Sequence, residues 1–121
     1  MSQNNQTRVV AVVDDMFFGS KIRETAKING VIVDFITNAE DLIESILTDP
    51  PRLIIFDLNS KKINPFEIIE KINTAPNLET TTKLAYSSHV EKDLMNEANQ
   101  TGFDIVMPRS RFVRELSEIL S

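Results

Sequence analysis

Three aspartates close two apolar runs. Asp14 and Asp15 follow Val9, Val10, Ala11, Val12 and Val13, and Asp57 follows Leu53, Ile54, Ile55 and Phe56. The first run reads as a β-branched strand and the second as a short strand buried on both faces of a sheet. In an open parallel sheet the ligand crevice lies beyond the carboxyl ends of the strands, which is where these acids would sit. If the first and third strands are neighbours, the three carboxylates converge and repel one another. A hard cation such as Mg²⁺, held through oxygen ligands and waters, relieves that repulsion. Ser87 ends a further short apolar run, and Arg109 follows another, bringing a permanent positive charge with several N–H donors. Carboxylates, cation, hydroxyl and guanidinium together are what an acidic nucleophile needs to take a phosphoryl group and have its charge neutralised.

The elements that must position these groups follow from periodicity. A β-branched strand is expected over residues 8–13, a helix over 16–29 with Phe18, Ile22 and Ala26 inward and Gly30 ending it, and a second strand over 31–36. Thr37 and Glu40 read as a capping box for a helix with Ala39, Leu42, Ile43, Ile46 and Leu47 on one stripe, stopped by Pro50 and Pro51. After the strand at 53–57, Asn64 and Pro65 open a helix with Phe66, Ile69 and Ile72 inward. Residues 73–82 read as loop and 83–87 as the fourth strand. Ser88 and Glu91 form a second capping box for a helix to about Gln100, with Val90, Leu94 and Ala98 inward and Gly102 as terminator. A last strand over 104–107 ends at Pro108, and Ser110 caps a helix carrying Phe112, Val113, Leu116, Ile119 and Leu120. Five strands alternating with five helices argue for an α/β domain, a parallel sheet and right-handed crossovers.

At 121 residues with 41% hydrophobic content the chain suits one domain, here residues 8–121 behind a polar tail of residues 1–7, with no residues left for an output domain. No apolar run approaches a membrane span, and the polar, neutral N-terminus is unlike a signal peptide, so a cytoplasmic location without membrane insertion is expected. Without cysteine there is no disulfide, thiolate metal site or cysteine nucleophile. The single His89 reads as a surface residue at a helix start and cannot build a zinc site alone. A net charge of −5 disfavours nucleic acid as a direct partner. Met16 and Phe17, beside the acidic pair, are expected to be exposed and are candidates for a partner contact.

Over nearly its whole length the chain resembles the receiver domain of bacterial response regulators, the CheY-like family. The residues that carry the resemblance are Asp14 and Asp15 after the first strand, Asp57 and Leu58 after the third, Ser87 after the fourth and Arg109 after the fifth, at the family's separations. The resemblance implies a flavodoxin-like three-layer (βα)5 sandwich with strand order 2-1-3-4-5. It implies Mg²⁺ bound by Asp14, Asp15, Asp57 and the backbone carbonyl of Asn59, and Asp57 accepting phosphate from a phosphohistidine of a sensor histidine kinase or phosphotransfer protein. Ser87 and Arg109 would then engage the phosphoryl group and shift a surface read by a downstream effector. Several positions depart from the family pattern: Arg109 stands for its lysine, Ser110 for the proline after it, Lys61 and Pro65 for a proline and a glycine, and Val106 for the aromatic switch residue.

Two rival readings accompany this one. A degenerate receiver would work as a phosphorylation-independent interaction module, with Arg109 pairing Asp57 and Asp15 as a structural ion bridge. A phosphatase of the haloacid dehalogenase kind also uses an aspartate after a strand, but its general acid two residues on is Asn59 here. Gly19, Gly30 and Gly102 are the only glycines and form no phosphate or dinucleotide loop.

Overall fold

The structure is a computed structural model that describes residues 5–87 and 91–121. Five strands, β1 (Asn5–Val12), β2 (Ile32–Phe35), β3 (Pro51–Asp57), β4 (Thr82–Ser87) and β5 (Ile105–Pro108), alternate with five helices, α1 (Met16–Ile28), α2 (Ala39–Thr48), α3 (Pro65–Ile72), α4 (Lys92–Gln100) and α5 (Arg109–Ile119). The strands form one sheet in the order β2-β1-β3-β4-β5, every neighbouring pair parallel. This is the flavodoxin-like sandwich expected from the sequence. The crossing point of the topology lies between β1 and β3, where Val9 to Val12 pair with Leu53 to Phe56.

Alternation along the strands splits the core into two layers. Val10, Val12, Ile54 and Phe56 face one side and pack with Leu42, Ile46, Ile69 and Ala98 from α2, α3 and α4. Val9, Ala11, Leu53 and Ile55 face the other and pack with Phe18, Ile22, Phe112 and Leu116 from α1 and α5. Four consecutive buried apolar residues on β3, Leu53 to Phe56, are therefore what a strand covered on both faces requires. Each such side chain contributes about 1.5–3 kcal/mol by burial, so the two layers fix the strand tips firmly.

The helix ends differ from expectation in informative ways. Asn38, not Thr37, caps α2, accepting the Asp41 N–H at 3.1 Å. At α5 the strand runs through Pro108 and the helix begins at Arg109, ahead of Ser110, because the fixed φ of proline suits the residue before a helix. β1 starts at Asn5, three residues before the expected Arg8, and pairs there with Pro51. A 3-10 turn, Pro76–Leu78, interrupts the expected loop and buries Leu78. Ile68, outside the expected α3 stripe, is buried, whereas Phe66 is only partly so. Gly30 ends α1 in the left-handed region at φ +72, as its position suggested. The expected roles of Ser88, His89 and Val90 lie outside the described residues; α4 begins at Lys92 with Glu91 in the capping position.

Candidate functional site

Asp57 is the last residue of β3 and is 7% exposed. A carboxylate this buried needs donors, and one Oδ1 contact is the Asn59 N–H at 2.9 Å. On β1 the chain leaves the sheet at Val12, and the next two acids diverge. Asp15 caps α1: its Oδ1 accepts the Phe17 and Phe18 N–H groups at 2.9 and 3.2 Å, which suits the positive end of a helix. Its Oδ2 faces Arg109 Nη2 at 3.6 Å. The guanidinium also lies over the Phe18 ring, 4.0 Å from its centre. Thus the cation that follows β5 reaches across to the acid that follows β1, pinned by charge on one side and by an aromatic face on the other.

Asp14 turns the other way, onto the loop between β3 and α3. Its Oδ1 accepts from Ser60 Oγ at 2.8 Å, and its Oδ2 from the Lys61 and Lys62 N–H groups at 2.7 and 3.2 Å. Burial raises the pKa of this carboxyl, but the hydrogen bonds from Lys61, Ser60 and Lys62, with the Lys62 charge, outweigh it and leave the pKa lowered. A cleft of about 270 Å³ opens beside the pair, lined by Asp14, Asp15, Arg23, Phe35 and Lys62 among others. Met16 lines it as well, and Met16 and the adjacent Phe17 are 85% and 86% exposed, as expected.

Ser87 ends β4 and is fully buried. Its hydroxyl lies 3.3 Å from Glu91 Oε1 and 3.5 Å from Asn59 Oδ1, while Asn59 Nδ2 donates to the same Glu91 oxygen at 2.9 Å. Glu91 therefore makes no side-chain cap for α4; its carboxylate is turned inward to bridge the loops after β3 and β4. Sequence reasoning gave Glu91 only a capping role and missed Tyr86. Tyr86 sits beside Asp57 in the β3–β4 register, and its phenol is buried without a hydrogen-bond partner among the described residues. Burial above all, then the charges of Asp57, Asp15 and Asp14, push the phenol pKa far up, with Arg109 opposing. The signal for Tyr86 was a polar aromatic in a strand that otherwise reads as apolar.

The acids after β1 and β3, the hydroxyl after β4 and the guanidinium after β5 thus all stand at one edge of the sheet. Among the described residues no three acidic or histidine side chains are grouped closely enough to hold a metal between them. Mg²⁺ does not need three, since it usually takes one or two carboxylates and keeps several waters. The Asp14 oxygens are committed to the Ser60–Lys62 loop and those of Asp15 to the first turn of α1 and to Arg109, so either acid joins Asp57 in holding a cation only by giving up those partners.

No family model matches the chain. An uncharacterised 14.6 kDa protein in the sodA1 3′ region of Leptolyngbya boryana is 23% identical over 99 residues, covering 82% of this chain and 76% of that one. A response regulator from Hahella chejuensis superposes with a TM-score of 0.84 at 19% identity, covering 95% of this chain and 92% of that one. The chemotaxis response regulator CheY4 of Vibrio cholerae gives 0.80 at 16% identity, with 96% and 97% covered. The phosphorylated cyanobacterial phytochrome response regulator RcpA gives 0.77 at 18% identity, with 96% and 89% covered. With its strand order and helix placement, the chain has the fold of the CheY-like receiver domains of response regulators.

Proposed function

We propose that this chain is a phosphoacceptor receiver domain of a two-component or phosphorelay signalling system. The observation that carries the reading is Asp57: a buried carboxylate closing a strand buried on both faces, at the topological crossing point, with Ser87 ending the neighbouring β4 and Arg109 following β5 beyond it. In the reaction an Asp57 carboxylate oxygen attacks the phosphorus of a phosphohistidine on a sensor kinase or phosphotransfer protein. A P–O bond forms, the P–N bond breaks, and its electron pair leaves on the imidazole, which takes up a proton. Asp57 and the Asn59 carbonyl, with Asp14 and Asp15 once freed from their present partners, would hold Mg²⁺, which when bound would neutralise charge on the phosphoryl oxygens.

The chain's own groups do the rest. Arg109 is held over Phe18 and within reach of Asp15, so it can turn from that carboxylate to a more highly charged phosphoryl group. Ser87 has one proton to donate, and transferring it from Glu91 to a phosphoryl oxygen leaves the Glu91 carboxylate held by Asn59 alone. Glu91 immediately precedes α4, so losing one of its two side-chain contacts alters the start of that helix and provides a surface change for an effector protein to read. The chemistry is transfer onto the domain itself, so the chain is a cytoplasmic signalling switch and not an enzyme acting on a metabolite.

A second reading has an observation in its favour. Asp15 already faces Arg109, and both oxygens of Asp14 are taken by the loop, which is how a phosphorylation-independent interaction module would be locked. Incubation with acetyl phosphate and Mg²⁺, followed by intact mass, separates the two. A receiver gains one phosphoryl group and Asp57→Asn gains none; a locked module gains none in either form.

A further inference from the structure

Among the described residues Tyr86 is the largest fully buried side chain, at 1% exposure, and its hydroxyl has no hydrogen-bond partner. A buried phenol in that state costs free energy, and in native structures such a group usually has a reason. It cannot easily turn away. The ring stacks on Phe112 of α5, centres 4.7 Å apart and 18° from parallel, and meets the edge of Phe18 at 5.4 Å. Its backbone is fixed too, because Leu58 N–H donates to the Tyr86 carbonyl at 2.9 Å and the strand register sets it beside Asp57. The charges acting on the phenol come from Asp57 first, then from Arg109, Asp15 and Asp14, so it stands within the electrostatic reach of the whole site.

We infer that Tyr86 is a further phosphoryl-binding group: a hydrogen-bond donor held without a partner until the phosphoryl oxygens on Asp57 accept from it. The inference rests on Asp57 being the phosphoacceptor. Phosphorylation brings a charge of about −2 and three strong acceptor oxygens to that position. An unpaired donor nearby destabilises the resting form and is satisfied in the loaded form, so the hydroxyl biases the domain toward holding its phosphoryl group. The stack on Phe112 ties any movement of the ring to α5.

The chain has one tyrosine and no tryptophan, so tyrosine fluorescence reports this residue alone. With acetyl phosphate and Mg²⁺, the emission of the wild-type chain should change in step with the gain of one phosphoryl mass, and that of Asp57→Asn should not. Tyr86→Phe keeps the aromatic stack and should still load, but should lose the phosphoryl group about tenfold faster, the factor expected for one hydrogen bond to a charged group. Without donor, the thermal midpoint of Tyr86→Phe should equal or exceed that of wild type, since only an unsatisfied hydroxyl is lost. Loading with unchanged emission, or an unchanged lifetime in Tyr86→Phe, overturns the role of Tyr86 and leaves Asp57 as phosphoacceptor. A midpoint lowered by more than about 4 °C overturns it as well, because the hydroxyl would then have had a partner at rest. No mass gain in the wild-type chain overturns both.

Discussion

Asp14 and Asp15 are adjacent and chemically identical, yet the fold gives them different work. Asp14 holds the loop after β3 through three hydrogen bonds, and these keep it ionised below its ordinary value of 3.8. The sign of the linkage follows: the folded state binds fewer protons than the unfolded one in that range, so the contribution is present above about pH 4 and is lost as pH falls through the depressed folded value. Asp14→Asn should flatten the acid limb of a plot of thermal midpoint against pH below 3.8, with little change in that limb's shape near neutrality. Arg109 can be tested by the same one-residue logic. Arg109→Lys keeps the charge but loses the planar contact with Phe18, and urea unfolding should register about 0.5–1 kcal/mol of lost stability while loading with phosphoryl persists. Arg109→Ala removes the cation, and the loading rate should fall about a hundredfold. The sequence named both residues, but it could not tell which acid the guanidinium meets, because that depends on where α1 and β5 end relative to one another.

At the level of elements, hydrophobic period and turn residues carried most of what was readable. The strand at β3, the inward face of α1 and the stop at Gly30 follow from spacing and from a glycine able to adopt positive φ, whereas of the expected α2 stripe Leu42 and Ile46 are buried and Ala39 and Leu47 are exposed. Caps were harder, since two candidates often stand side by side. Thr37 and Asn38 are such a pair, and the longer amide reach and better capping rank of asparagine decide for Asn38. Asn38→Ala should cost about 1 kcal/mol in urea unfolding and leave phosphoryl loading unchanged, because its side chain bonds the Asp41 N–H and none of the site residues. Glu91 was misjudged for a physical reason: a carboxylate at a helix start can cap it or reach a neighbouring loop, and only the positions of Asn59 and Ser87 settle the choice.

For the molecule as a whole, the two core layers act as a rigid frame and the chemistry is confined to one edge of the sheet. Phe56 shows how closely the two are joined, since it packs edge-on against Phe103 and its neighbour in sequence is Asp57. Phe56→Ala should cost about 3–5 kcal/mol, a large share of the roughly 5–15 kcal/mol that holds a domain of this size together. Alternation of strands and helices made the layered architecture legible from the sequence alone. The buried phenol of Tyr86 was not, because its environment is assembled from β4, α1 and α5, which are distant along the chain. The signalling role proposed for the chain requires Asp57 to form an acyl phosphate. Borohydride reduction of the chain after treatment with acetyl phosphate and Mg²⁺ converts an aspartyl phosphate to homoserine, which peptide mass spectrometry locates. Homoserine at position 57 and nowhere else is the predicted result; an unmodified Asp57, or label at Asp14 or Asp15 instead, would contradict it.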